Sequence, residues 1–290
     1  MKCDCCPRNC KTERNQNPGF CSVKENFVVA RASKHFWEEP CISGKNGSGT
    51  VFFSGCSLRC VYCQNYEISH EGFGKEISDK RLTEIFDELI ESGVHNINLV
   101  NPTHYAKRLA KVLKSYKASV PVIYNSSGYE KVETLKELEG LVDIYLPDLK
   151  YISPERSKKY SKAENYFSVA GEAIKEMKRQ QKEDVFSSDG MMKKGVIIRH
   201  LILPKNTNQS IEIFRWIKNN FGEKTCVSLM AQYTPYGRLE DFPELQRKIT
   251  KREYEKVYSF LREEGFENSF IQELQSADED FIPPFDLTGV

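Results

Sequence analysis

Residues Phe52–Tyr66 read FFSGCSLRCVYCQNY and hold Cys56, Cys60 and Cys63 in the spacing Cys-x3-Cys-x2-Cys. Three thiolates on one short loop can grip three irons of a cubane cluster and leave the fourth iron without a protein ligand. Soft sulfur suits iron and its inorganic sulfides. A structural tetrahedral site wants four ligands, and no fourth cysteine stands near this triplet. His70, seven residues on, is the candidate fourth ligand of a zinc reading.

The spacing, with aromatic Tyr62 just before the third cysteine, resembles the radical S-adenosylmethionine (SAM) enzymes. The wider run from residue 47, GSGTVFFSGCSLRCVYCQN, is similar to the branch related to pyruvate formate-lyase activating enzymes. The resemblance implies a [4Fe-4S] cluster on Cys56, Cys60 and Cys63, with SAM chelating the open iron. It also implies reductive cleavage of SAM to a 5′-deoxyadenosyl radical that abstracts hydrogen from a substrate. Reduced flavodoxin or ferredoxin is the electron donor that it implies.

Around this loop, residues 50–275 alternate strand and helix patterns. Val51–Ser54 reads as a strand. Leu82, Ile85, Phe86, Leu89 and Ile90 recur on one face of a helix over Ser78–Ser92, with Gly93 at its end. Further strands are expected at Val94–Val100, Pro121–Tyr124, Val142–Leu146, Val196–Leu203 and Cys226–Met230. Helices fill the intervals, that over Pro154–Gln181 in two pieces, and Thr250-x-x-Glu253 opens a last helix with a capping box. Six strands alternating with helices argue an α/β fold with a parallel sheet. Periodicity leaves a barrel and an open sheet both standing. The resemblance implies the partial (β/α)6 barrel of radical SAM enzymes, with polar residues gathered at the C-terminal strand ends.

Those strand ends carry the candidate site residues. The resemblance places Asn98, Asn101 and Thr103, within or beside the NPTHY run, near the SAM amino group, where the family usually bears a Gly-Gly-Glu-like motif. It places Asn125 and Ser126 near SAM as well. In LPDLK it places Asp148 and Lys150 near the methionyl group and the substrate, and in IRHLILP it offers Arg199 for the SAM carboxylate. Gln232 stands where the activating enzymes often carry a ribose-binding His. The structural alternatives are a surface ion pair for Asp148 and Lys150, a strand-end charge for Arg199, and scaffold roles for all five histidines.

Residues 1–25 carry five of the ten cysteines. Cys3, Cys6, Cys10 and Cys21 form Cys-x2-Cys-x3-Cys-x10-Cys, and Pro7 and Pro18-Gly19 supply turns. So short and apolar-poor a segment is expected to fold around a metal, zinc or a second iron–sulfur cluster, with Cys5 an alternative ligand. The bland reading is an oxidation-prone tail. Residues 26–49 read as a connector, where Glu38 and Glu39 are a candidate catalytic pair read first as a solvated or capping pair, and Cys41 is a buried small residue. Residues 276–290 read as a C-terminal tail.

Lys and Arg number 42 against 41 Asp and Glu, so bulk charge favours neither nucleic acid nor membrane. The start has no apolar signal segment, and no run is apolar for 18 residues. Many cysteines without such a signal fit a reducing, cytoplasmic setting. The expected function is radical SAM chemistry on a protein or peptide substrate, either activating a glycyl radical enzyme or maturing another protein or peptide. The alternative of another class is a non-catalytic iron–sulfur or zinc redox or binding protein.

Overall fold

The structure is a computed structural model and describes residues 2–274 and 283–290. The stretch read as a connector begins with a nine-residue strand, β1 (Phe27–His35), and a single helical turn, α1 (Pro40–Ser43). The connector is therefore part of the sheet at its start: FVVARASKH puts Phe27, Val29, Ala30 and Ala32 in the core and pairs antiparallel with the next strand. That strand, β2 (Ser48–Phe53), is buried at every residue, as a strand with neighbours on both edges should be. A short β3 (Lys75–Ile77) closes the other edge of β1.

From there the expected alternation holds: α2 (Asp79–Glu91), β4 (Ile97–Val100), α3 (Ala106–Ser115), β5 (Val122–Ser126), α4 (Val132–Lys136), β6 (Ile144–Pro147), α5 (Pro154–Ser161) and α6 (Tyr166–Gln180). The Ser78 hydroxyl caps α2 by accepting the Arg81 amide at 3.1 Å, and Leu82, Ile85, Phe86 and Leu89 fill its inner face. The hairpin β7 (Val185–Phe186) and β8 (Met192–Val196) was not expected from the sequence.

The expected fifth strand is broken at Ile197. β8 pairs with β6, whereas β9 (Ile198–Leu201) pairs with β10 (Val227–Met230) beyond α7 (Thr207–Phe221). The chain ends with α8 (Lys251–Glu263), whose capping box is complete, and β11 (Ser269–Ile271).

Strands run in the order β3-β1-β2-β4-β5-β6-β8-β7 in one sheet and β11-β10-β9 in a second. A parallel bridge between Asp148 and Arg199 joins them. The segment from β2 to β8 is parallel, and its register brings Phe52 beside Val100, Val100 beside Asn125, and Ser126 beside Pro147. The C-terminal ends, and the loops that follow them, therefore lie along one edge, where α/β sheets place their ligands. Among the expected tail residues, Leu287 and Thr288 pair with Ala30 and Ala32 of β1, and Arg31 bridges Asp286 at 2.8 Å. The expected boundary at 275/276 lies outside the described residues.

Candidate active site

Gly55 turns the chain out of β2 with φ +84°, and a Cβ there would meet the Cys21 carbonyl at 2.5 Å. The cysteine loop that follows is fixed from several sides. The Cys56 Sγ accepts the Leu58 and Arg59 amides at 3.3 and 3.4 Å. The Ser161 hydroxyl, at the end of α5, donates to Cys60 Sγ at 3.0 Å. Tyr62 and Tyr151 share a hydroxyl hydrogen bond of 2.7 Å, and Tyr151 and Ser161 another of 2.7 Å, so a buried chain of hydroxyls ends on the Cys60 sulfur. The Asn101 amide, after β4, holds the Gly55 carbonyl at 2.5 Å.

Cys56, Cys60 and Cys63 line one cavity of about 250 Å³. Asn101, Asn125, Ser126, Asp148, Lys150, Arg199 and Gln232 line it too. Residues 130 or more positions apart thus meet around the sulfurs. Two expected members do not line it. Asn98 is fully buried and donates to Glu38 Oε1 at 3.0 Å. Thr103 donates instead to the buried Glu130 carboxyl at 2.5 Å. His70, the candidate zinc ligand, stacks on Tyr66 at 4.2 Å and is not among the lining residues.

The residue that sequence reading undervalued is Glu38. Its Oε1 accepts Asn98 and Asn125, and its Oε2 accepts Arg199 Nη1 at 3.0 Å. Arg199 also donates Nε to Asp148 at 3.0 Å and Nη2 to Asn125 at 2.6 Å, and Lys150 donates to the other Asp148 oxygen at 2.6 Å. Two cations and two carboxylates are thus matched in a partly buried row. Every Arg199 nitrogen already has a protein partner, which corrects the picture of a guanidinium waiting for a bidentate ligand. The signal was present: Glu38 follows a strand-like FVVARASKH, but the strand itself went unread.

Burial works to raise the Asp148 carboxyl, yet the Lys150 and Arg199 charges outweigh it and hold that carboxyl below its ordinary value. Lys150 and Arg199 are held above theirs by the same neighbours, against burial. Glu39 lacks such compensation, and burial raises its pKa against the pull of Arg199. Burial also pushes Cys56 up, and Cys63 to about 12 with help from Cys60 and Cys56.

Three thiols on one wall, two of them raised by burial, suit a metal whose own charge drives off their protons. Among the described residues no group of three or more His, Cys, Asp or Glu side chains stands in metal-cage geometry, so binding at either cysteine set would draw the sulfurs together. The donor set fits a [4Fe-4S] cluster: three soft ligands, amide and hydroxyl donors to sulfur, and polar walls that include a buried, unpartnered Ser127 hydroxyl for a polar cosubstrate.

The N-terminal cysteines lie against the outside of this loop. Cys21 O accepts the Cys56 amide at 3.2 Å. The Cys10 and Cys21 sulfurs flank Gly19, and the Cys3 and Cys10 thiols are hydrogen-bonded. Cys6 is buried, and Cys5 turns inward to donate to the Thr103 carbonyl at 3.3 Å. Arg8 reaches from this segment to the Ser57 carbonyl at 2.7 Å and the Ser161 carbonyl at 2.8 Å.

An uncharacterised protein of Methanocaldococcus jannaschii is 32% identical over 264 residues, covering 88% of this chain and 72% of its own. The FeFe-hydrogenase maturase HydG from Carboxydothermus hydrogenoformans is similar in fold, with TM-score 0.51, 14% identity, and coverage of 80% of this chain and 56% of that one. Streptococcus suis SuiB bound to the precursor peptide SuiA gives TM-score 0.48 and 16% identity over 75% of this chain. The chain spans about half the length of these two solved structures. The model of the radical SAM superfamily matches residues 50–217, more than half of the chain and the whole stretch from β2 through the cysteine loop to α7, and the chain belongs to that superfamily.

Proposed function

We propose that this protein generates a radical on a protein or peptide substrate, as the activating-enzyme-like branch does for glycyl radical enzymes. The observation that carries the reading is the meeting of Cys56, Cys60 and Cys63 with one polar group from each strand end on a single cavity. Radical-based maturation of another protein or peptide is the nearest alternative. We read the parallel strands as a partial (β/α)6 barrel, open between the β3 edge of the first sheet and the β11 edge of the second.

Cys56, Cys60 and Cys63 would hold a [4Fe-4S] cluster, which with bound SAM would supply the 5′-deoxyadenosyl radical. Lys150 spends one N–H on Asp148 and keeps two for the SAM carboxylate or the substrate, as a mobile point charge should. Arg199 acts through Asp148, Glu38 and Asn125, fixing the floor on which those groups stand. Asn101 orients the cysteine loop through Gly55. Holding reacting groups in place is where such a site gains most of its rate. Reduced flavodoxin or ferredoxin in the cytoplasm is the proposed electron donor, and zinc or a second cluster the proposed guest of Cys3, Cys6, Cys10 and Cys21. Among the described residues no helix is long and apolar enough to cross a membrane.

The test is anaerobic reconstitution with iron and sulfide, reduction by flavodoxin, and measurement of 5′-deoxyadenosine from SAM. Formation of the product supports the proposal. A fully loaded cluster that never yields it would refute it.

A further inference from the structure

A second cavity, of about 470 Å³, adjoins the first and shares Trp37, Glu38, Arg199, Met230 and Gln232 with it. Its far wall is β11 with Gln272 and Glu273. At its rim stands Trp37, 56% exposed.

Glu39 lines this cavity, is only 8% exposed, and its Oε2 has no hydrogen-bond partner. A buried carboxyl oxygen without a hydrogen-bond partner is costly to leave so. The contrast with Glu38, one residue earlier, is complete: both Glu38 oxygens are bonded. The charge balance points the same way. In the first cavity Lys150 and Arg199 match Asp148 and Glu38. In the second, Glu39 and exposed Glu273 face Arg199 as the single cation among the described lining residues, and its guanidinium is already bonded to Glu38 and Asp148.

We infer that this second cavity is a recognition subsite for a primary ammonium group on an aliphatic stem, such as a lysyl side chain of the substrate, anchored by Glu39. The inference rests on the protein-or-peptide reading above. An ammonium fits better than a guanidinium: Ser228 hydrogen-bonds the Glu39 carboxyl, leaving one oxygen, which suits a point charge rather than a planar fork. The stem would lie along Met230, Phe270 and Ile271 while the Trp37 indole face attracts the cation. The shared wall sets the rest of the substrate toward the cysteine cavity.

The experiment is calorimetric titration of the full chain with acetyl-Ala-Lys-Ala-amide, its norleucine counterpart, and free cadaverine. The lysyl peptide should bind about tenfold or more tightly than the norleucyl one, a difference of about 1.4 kcal/mol. Glu39→Gln should erase that preference, and Trp37→Ala should reduce it. Equal affinity for the two peptides, or a preference that survives Glu39→Gln, overturns the inference. Should Glu39→Gln fail to fold, Trp37→Ala decides, with an undiminished preference counting against the subsite. Cadaverine binding as tightly as the peptide would keep the ammonium site and assign it to small amines. Measuring 5′-deoxyadenosine on the same preparation separates the two readings: SAM cleavage without a lysyl preference refutes the subsite alone, and a lysyl preference without SAM cleavage refutes the proposed reaction alone.

Discussion

The molecule carries two cysteine-rich segments in contact, and they are built differently. In the loop after β2, Cys56, Cys60 and Cys63 face one cavity, and amide or hydroxyl donors point at two of the three sulfurs. In the N-terminal segment the thiols divide: Cys3, Cys10 and Cys21 gather around Gly19, while Cys5 turns to a backbone carbonyl. Charges divide likewise. The cavity holds the partly buried row Glu38–Arg199–Asp148–Lys150, whereas the outer segment relies on more exposed pairs such as Asp4 with Lys107. Similar cysteine spacing therefore says that sulfur is concentrated. What it serves is decided by where the sulfurs face and which donors meet them.

The largest expected effect tests that inside-against-outside contrast through charge. Arg199→Ala leaves Glu38 without its cation and Asp148 with Lys150 alone, and should cost about 3–5 kcal/mol of stability, whereas Asp4→Ala should cost about 0–1 kcal/mol. Urea denaturation of both variants checks it, and equal losses would dissolve the contrast.

Next comes Glu130, where the two regions lean on one another. It accepts Thr103, whose carbonyl in turn accepts the Cys5 thiol. Burial, against three hydroxyl donors, raises its carboxyl from 4.5 to about 7. The folded state therefore holds this proton more tightly than the unfolded chain. The corresponding stability is fully present below pH 4.5 and is lost as pH rises to about 7, a span worth about 3 kcal/mol. Glu130→Gln should flatten the stability profile across that window. A profile with the same slope would place the titration elsewhere.

The smallest effect concerns the hydroxyl chain. Ser161→Ala removes the donor to Cys60 Sγ, so the sulfur keeps more electron density and the reconstituted cluster should become harder to reduce. Its reduction potential should fall while stability changes by no more than about 1.5 kcal/mol. An unchanged potential would mean that Ser161 only packs there.

Much of this was legible in the sequence. The helical periodicities and the short apolar runs located β2, β4, β5, β6 and β10 to within a few residues, because parallel strands buried on both faces leave few alternatives. The cysteine triplet and most strand-end polar groups reached the same cavity. Three things were not legible. β1 was missed because Arg31, Ser33 and Lys34 mask its alternation, and Glu38 was undervalued with it. The break at Ile197, which delivers Arg199 to Asp148, follows two residues after Gly195, which has φ +142° and where a Cβ would strike the Asp184 side chain. Thr103 sits beside the site in sequence, yet its hydroxyl is claimed by Glu130, a partner 27 residues away.

The most direct measurement is iron and sulfide content together with 5′-deoxyadenosine formation in two variants of the full chain. In one, Cys56, Cys60 and Cys63 are replaced by Ala; in the other, Cys3, Cys10 and Cys21 are. The account predicts that the first loses the SAM-cleaving cluster and all product. The second should retain four irons' worth of cluster and measurable product, while losing whatever metal the outer segment holds. Product from the first variant, or its complete loss from a cluster-loaded second variant, would contradict the assignment of radical chemistry to the loop after β2.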